Sequence, residues 1–300
     1  MARIRRLSSA DWFRKPGPEA GEVADRAAEE AADEIASIAA EMEQWDGTAE
    51  AEPSHRRERG RQRLASLAGA LAGVLGRGGR TAAQGTVLGV RTLADRLLDA
   101  APRIPVRDLA TLRAQHPGAT DPEQLADRLT AGAVKASAGI GAGVGAVAML
   151  PTPPAMAVEI AAETLAVAGI EVKLIAELHE VYGMRAQGGV TDRASAYVNA
   201  WTNRRGIDLT RPVGMAALRL SGELKQQLRR RLTRSTLRKV PTLTPLLIGA
   251  GIGATINSRD TRRLSDQVRN DLRRRVPPDP GYWARAQPPE TPSRARSRPR

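Results

Sequence analysis

Two ionisable side chains, Glu171 and His179, have types and a spacing that could support chemistry. Both lie in the helical pattern of residues 155–182, and at about 100° per residue both fall towards its apolar side. A carboxylate and an imidazole in an apolar setting can bind a metal ion or relay a proton. The same residue types also occur at helix boundaries, where local hydrogen bonds satisfy them. Glu171 and His179 are therefore weak candidates for a polar site.

The other charged residues of this helical pattern fall together on one face. They are Glu159, Glu163, Lys173, Glu177 and Glu180. This pattern predicts an amphipathic helix with a charged face and an apolar face.

Seven glycines in two apolar segments have a spacing that suits close helix packing. The motif AGIGA occurs at residues 138–142 and again at 250–254. Glycine costs a helix about 1 kcal/mol relative to alanine, so an approaching helix must offset the cost. Glycines four residues apart lie along one helix face, which allows two backbones to approach. We therefore predict a helix-packing seam formed by Gly139, Gly141, Gly143, Gly145, Gly249, Gly251 and Gly253.

Two other interpretations of the glycine segments are weaker. Residues 141–146 and 249–254 fit the pattern G-x-G-x-x-A, but a dinucleotide site needs a preceding strand, and neither copy has one. Residues 136–158 carry no charge and are long enough to cross a bilayer, yet Pro-Thr-Pro-Pro at 151–154 would place a turn at mid-depth. The sequence favours a buried helical hairpin, in a soluble or a membrane-surface protein, and predicts no cofactor.

Basic residues flank the second glycine segment. The formal net charge is +13 and the pI is about 11.1, a balance that favours anionic partners but that Arg-rich composition alone could also produce. No aromatic residues interleave with the arginines, and no known DNA-binding motif is present, although nucleic acid is not excluded. The candidate contacts for an anion or lipid are Arg229, Arg230, Arg231, Arg234, Arg238, Lys239, Arg262 and Arg263.

The composition predicts an all-α protein. Aromatic residues make up 3% of the chain, so alanine, leucine, valine and glycine must form the core, and these suit helices better than sheets. We expect a compact helical domain built round the Gly/Ala-rich hairpin. The predicted segments are a flexible basic arm (1–18), an acidic helix plus linker (19–57), a helical pair (58–103), the main helical domain (104–275) and a disordered Pro/Arg-rich tail (276–300).

The acidic helix has an apolar stripe, which includes Ala27, Ala31, Ile35, Ile38 and Met42. It is either a solvated helix with one buried face or a mask for a basic surface elsewhere in the chain. The N-terminus has basic residues without a following apolar run, so it is not typical of a secretory signal. We expect a cytoplasmic protein, or a peripheral one on the inner face of the cytoplasmic membrane.

Three pieces of the chain resemble the bacterial EcsC family. They are the glycine segment with its prolines and acidic residue at 139–159, the helix end Val181-Tyr182-Gly183, and the run VPTLTPLLIGAGIGATINSRDTRRLSDQVR. The resemblance covers roughly residues 104–275. It implies a helical domain with membrane association, and it carries over no catalytic or binding residue.

These observations together predict a non-catalytic, membrane-surface protein that binds anionic lipid or a membrane protein partner. The sequence has no HExxH motif and no G-x-S-x-G elbow, and it assigns no catalytic residue and no metal ligand. Nonspecific nucleic-acid binding is the main alternative, and a hydrolase-like enzyme with an unrecognised site is a further one. The sequence leaves the oligomeric state open.

Overall fold

The computed structural model describes residues 18–44, 62–71, 86–147, 153–205 and 244–286. These residues form helices and contain no strand, so the all-α prediction is confirmed. The helices are α1 (Pro18–Ala40), α2 (62–71), α3 (Thr86–Ala100), α4 (Leu109–Gln115), α5 (Pro122–Val147), α6 (Pro153–Val181), α7 (Val190–Arg204), α8 (Thr244–Arg273) and α9 (Tyr282–Arg285). Short 3₁₀ helices follow α1 (Glu41–Gln44) and α3 (Ala101–Arg103).

Helix α6 lies at the centre of the fold. It packs against α1, α3, α4, α5, α7 and α8, and every residue from Ala168 to Leu178 is buried. A helix buried on all sides needs apolar residues all round it, and α6 supplies them at most positions. The predicted charged face is wrong for its C-terminal half. Lys173 and Glu177 are fully buried and Glu180 is 8% exposed, because α1 and the chain around Pro105 cover this face.

Helix α1 belongs to the same core. The stripe residues from Ala27 to Met42 are buried, and some acidic side chains of α1 and of the 3₁₀ helix after it form ion pairs within the fold. Asp33 Oδ1 lies 2.7 Å from Arg103 Nη1, and Glu41 Oε1 lies 2.8 Å from Arg63 Nε. These carboxylates pair with arginines of α2 and of the 3₁₀ helix after α3, and the masking hypothesis stays a prediction. One buried cluster runs from Ala31 through α2, α3 and α5–α7 to Leu272, so segments 19–57 and 58–103 share the core of the main domain.

Helices α5 and α8 form an antiparallel pair. Asp121 begins α5 as its N-cap, accepting a hydrogen bond from the Gln124 backbone N–H at 2.9 Å. Along the pair, Thr130 Oγ1 lies 2.7 Å from Ser265 Oγ, and Ser137 Oγ lies 3.0 Å from Thr261 Oγ1. The described contacts between α5 and α8 therefore all fit one antiparallel register.

The two glycine segments meet within this pair. A methyl group added to Gly141 would overlap the backbone of Gly253, and one added to Gly253 would overlap the carbonyl of Gly141. The two backbones can approach this closely only because neither residue has a Cβ. Gly139 is half-buried in α5. The remaining glycines lie in α5 (Gly143, Gly145) and α8 (Gly249, Gly251), and their contacts fall outside the described residues.

The C-terminal segment differs from its prediction over residues 276–286. Instead of being disordered, this segment forms α9 and packs on the domain. The Arg113 guanidinium donates to the carbonyls of Trp283 and Ala286, at 2.7 and 2.5 Å, and lies 4.7 Å from the centre of the Trp283 ring. The Tyr282 ring covers Gly183, whose φ of 67° favours glycine. Tyr282, Trp283 and Ala286 pack this segment against the core. The basic arm, the 47–57 linker and residues 287–300 lie outside the described residues.

Substituting Gly141 by alanine tests the close approach of α5 and α8. We expect Gly141→Ala to destabilise the protein by about 1–3 kcal/mol, because the new methyl group meets backbone atoms that have no room to move. Gly69→Ala is the matched control, since nothing lies within 4 Å of its added Cβ on helix α2. It should be neutral, or stabilising by up to about 1 kcal/mol. Denaturant unfolding measures both, and equal effects would contradict the described packing.

Candidate functional site

Glu171 is the centre of a buried polar cluster that joins α6 to α7 and α8. Its side chain is fully buried, and its Oε2 accepts a hydrogen bond from Trp201 Nε1 at 2.7 Å. Arg205 donates to both carboxylate oxygens, with Nε 3.2 Å from Oε2. The Thr261 hydroxyl lies 3.0 Å from Oε1. These donors satisfy the buried carboxylate and connect α6 to the C-terminal end of α7 and to α8.

The cluster extends towards the glycine contact through small polar side chains. The Thr261 hydroxyl also lies 3.0 Å from Ser137 Oγ on α5. One turn nearer the glycines, Asn257 Nδ2 donates to Glu163 Oε1 at 3.0 Å. The cluster thus fixes α5, α6, α7 and α8 relative to one another.

His179 belongs to a different environment from Glu171. Its Nδ1 lies 2.7 Å from the Ile175 carbonyl, and its ring is tilted by 57° against Tyr197, with 5.3 Å between the ring centres. Burial lowers the pKa of His179. None of these partners contacts Glu171 in the described hydrogen bonds. The structure therefore does not bring the two candidate residues together, and a proton relay between them has no geometric support.

A second buried ionic cluster was missed by the sequence analysis. Arg107 donates two parallel hydrogen bonds to the Glu177 carboxylate, of 2.9 and 2.8 Å. Lys173 Nζ lies 2.8 Å from the same carboxylate. Glu43 accepts from Lys173 Nζ at 2.9 Å. The four-residue spacing of Lys173 and Glu177 was a usable signal. Their distant partners, Arg107 and Glu43, come from other parts of the chain and could not be paired from the sequence.

The arginines of the basic half of α8 fall into two groups. One group forms ion pairs within the fold, and the other is exposed. Arg269 Nη1 and Nη2 lie 2.6 Å from Asp127 and 2.8 Å from Glu123, and Arg273 also pairs with Glu123. In contrast, Arg259, Arg262 and Arg263 are exposed on one face of α8. Within the described contacts, their only ion pair is a 3.9 Å approach of Arg263 to Asp260.

The remaining predicted contacts lie outside the described residues. They are Arg229, Arg230, Arg231, Arg234, Arg238 and Lys239. No group of three or more acidic or histidine side chains in the described part of the chain is arranged to hold a metal ion. None of the described helices combines the length and the apolar character needed to cross a bilayer.

Comparison of the chain with protein-family models, with curated proteins and with solved structures finds no match. The resemblance to the EcsC family therefore stays a prediction.

Removing the carboxylate of Glu171 tests the structural role of the cluster. Glu171→Ala should lower the free energy of unfolding by about 3 kcal/mol, because it leaves Arg205 and the buried Trp201 N–H without their acceptor. Asp271→Ala is the matched control. It removes a half-exposed partner of Arg204, at 2.8 Å, and should cost less than about 1 kcal/mol. Urea unfolding of the two variants measures both losses, and a Glu171 variant as stable as the control would overturn the assignment.

Glu123 makes the stability dependent on acid pH. Hydrogen bonds from Arg273, and then from Arg269 and Tyr182, lower the pKa of Glu123 from 4.5 to about 2. A carboxylate with a depressed folded-state pKa stabilises the fold above the unfolded-state pKa, and this contribution is lost as pH falls from about 4.5 towards 2. The pH-dependent loss in this window should be smaller in Glu123→Gln. Asp266→Asn, a substitution at an exposed site on α8, should lose as much stability over this pH range as the unchanged protein. Thermal melts across the pH series measure these losses.

Proposed function

We propose that the protein binds anionic membrane surfaces through one end of its helical bundle, on the inner face of the cytoplasmic membrane. The observation that carries this proposal is the placement of three exposed arginines, Arg259, Arg262 and Arg263, beside the uncharged ends of the α5–α8 pair. The argument has two parts, the apolar end and its basic border.

The apolar end arises from the antiparallel register of the helices. Contacts between Gly141 and Gly253 place the C-terminal end of α5 near the N-terminal end of α8. Helix α5 has no ionisable residue over residues 136–147, and α8 has none over 244–258. These stretches are about 20 Å long at 1.5 Å per residue. That is shorter than the hydrocarbon core of about 30 Å, so it suits entry into one leaflet and not a crossing.

The basic border follows the apolar stretch directly. Arg259, Arg262 and Arg263 recur at three- and four-residue steps after Ser258, so they lie on one side of α8. Each arginine near an anionic membrane contributes about 1 kcal/mol of attraction. Arginines with few internal partners can make these contacts without breaking the ion pairs that stabilise the fold. The same groups could bind nucleic acid or a membrane protein partner, and the experiment distinguishes these outcomes.

Two pairs of substitutions with equal charge change test the proposal. Arg262→Gln with Arg263→Gln should weaken binding to phosphatidylglycerol vesicles by about 2 kcal/mol, or roughly thirtyfold. Arg274→Gln with Arg275→Gln removes two exposed arginines that directly follow the C-terminal end of α8 and should have a much smaller effect. Co-sedimentation at low salt, with phosphatidylcholine vesicles as the neutral reference, measures the affinities.

The salt series separates two modes of binding. Binding to anionic vesicles that persists at high salt indicates insertion of the apolar end, while binding lost with salt reduces the contact to surface charge. The proposal is wrong if the full chain does not bind anionic vesicles at low salt. It is also wrong if both pairs of substitutions weaken binding equally, or if duplex DNA binds in preference to vesicles.

A further inference from the structure

A cleft with no role in the membrane proposal lies on the other side of α6. Its floor is formed by Val172, Ala176 and Glu180, which follow one another at four-residue steps on α6. One wall comes from the chain after α3, including Ile104, and the other comes from α7. Small alanine side chains leave room between these elements, and the cleft has a volume of about 190 Å³.

Two exposed apolar side chains line the cleft. The structure has three large exposed hydrophobic side chains among its described residues, and two of them, Val106 at 40% and Val190 at 56%, line this cleft. Single exposed valines are common on protein surfaces. Together with Val172 and Ala176 of the floor, the two valines give the cleft an apolar part that can receive an apolar group.

The charges at the cleft are unbalanced. Glu180, 8% exposed, pairs with Arg185 Nε at 2.9 Å. Arg193, which lines the same cleft from α7, makes no side-chain ion pair or hydrogen bond with any part of the chain that the structure describes. The nearby Asp108 carboxylate caps α4, accepting from the Thr111 backbone N–H at 2.8 Å, and does not line the cleft. The side chains that line the cleft therefore include two guanidinium groups and one carboxylate.

We propose that this cleft binds a small carboxylic acid with a compact apolar tail. The carboxylate pairs with the Arg193 guanidinium, which is suited to bidentate contact with planar anions. The tail lies against Val106, Val172 and Val190. The volume of about 190 Å³ suits a small ligand such as a short-chain or branched acid. The proposal does not depend on the membrane function.

The sign of the charge expected on the ligand follows from the charged side chains at the cleft. An amine would have to displace Arg185 from Glu180, whereas Arg193 has no side-chain ion pair or hydrogen bond to displace among the described residues. Burial raises the pKa of Glu180, while Arg185 and Arg193 act in the opposite direction. A carboxylate ligand is therefore expected to bind without breaking the internal pair.

The test uses the full chain with 4-methylpentanoate as the probe. Methyl-labelled protein reports binding through Ile104, Val106, Val172 and Val190, while Leu264 and Val268 on α8 serve as distant references. We expect saturable shifts of the cleft methyl signals only, within roughly 20 mM of ligand for a molecule of this size. The uncharged analogue 4-methylpentanamide should bind at least about tenfold more weakly.

Matched variants assign the anion contact. Arg193→Gln should weaken 4-methylpentanoate binding by roughly tenfold or more, and Arg263→Gln, an exposed arginine of α8, should leave it unchanged. Both sites are on the surface of helices, so the variants should fold, and the reference methyl signals check this. The proposal is overturned if no saturable shift occurs, if both variants bind equally well, or if 4-methylpentan-1-amine binds more tightly than the acid.

Discussion

The direct contact of α5 and α8 at Gly141 and Gly253 determines much of the remaining structure. Because neither glycine has a side chain, the two backbones come together and fix one antiparallel register. That register places Ser137 beside Thr261 and Thr130 beside Ser265, so hydroxyl groups bond across the interface instead of remaining unsatisfied. It also brings the uncharged ends of both helices to the same end of the bundle, which is the basis of the proposed membrane contact.

The second constraint is the burial of charge on α6. A central helix that carries Glu171, Lys173 and Glu177 must provide each with partners, because an uncompensated buried charge would cost several kcal/mol. Trp201, Arg205 and Thr261 satisfy Glu171, while Arg107 and Glu43 complete the cluster of Lys173 and Glu177. These contacts connect α6 to α1, to the chain before α4, and to α7 and α8. The ionic clusters therefore hold the bundle together.

The local features of the fold could be predicted from the sequence. The Asp121-Pro122 start of α5 and the apolar stripe of α1 follow from short-range rules on caps and periodicity. The environment of α6 could not be predicted, because the partners that bury Lys173 and Glu177 come from Glu43 and Arg107, far away in the chain. For the same reason the cleft beside Arg193 was not foreseen, since it forms only where α6, α7 and the chain after α3 meet.

The proposal that one end of the bundle enters a membrane is tested most directly by measuring the depth of single labelled positions. The chain contains no cysteine, so one introduced cysteine carries the only thiol-linked fluorophore. Ile248→Cys lies in the uncharged stretch of α8, and Asn270→Cys lies at the opposite, exposed end of the same helix. With anionic vesicles, bromine-labelled lipid chains should quench the label at residue 248 and leave the label at residue 270 unaffected. Equal quenching at both positions, or none at residue 248 when the protein is vesicle-bound, would contradict the account.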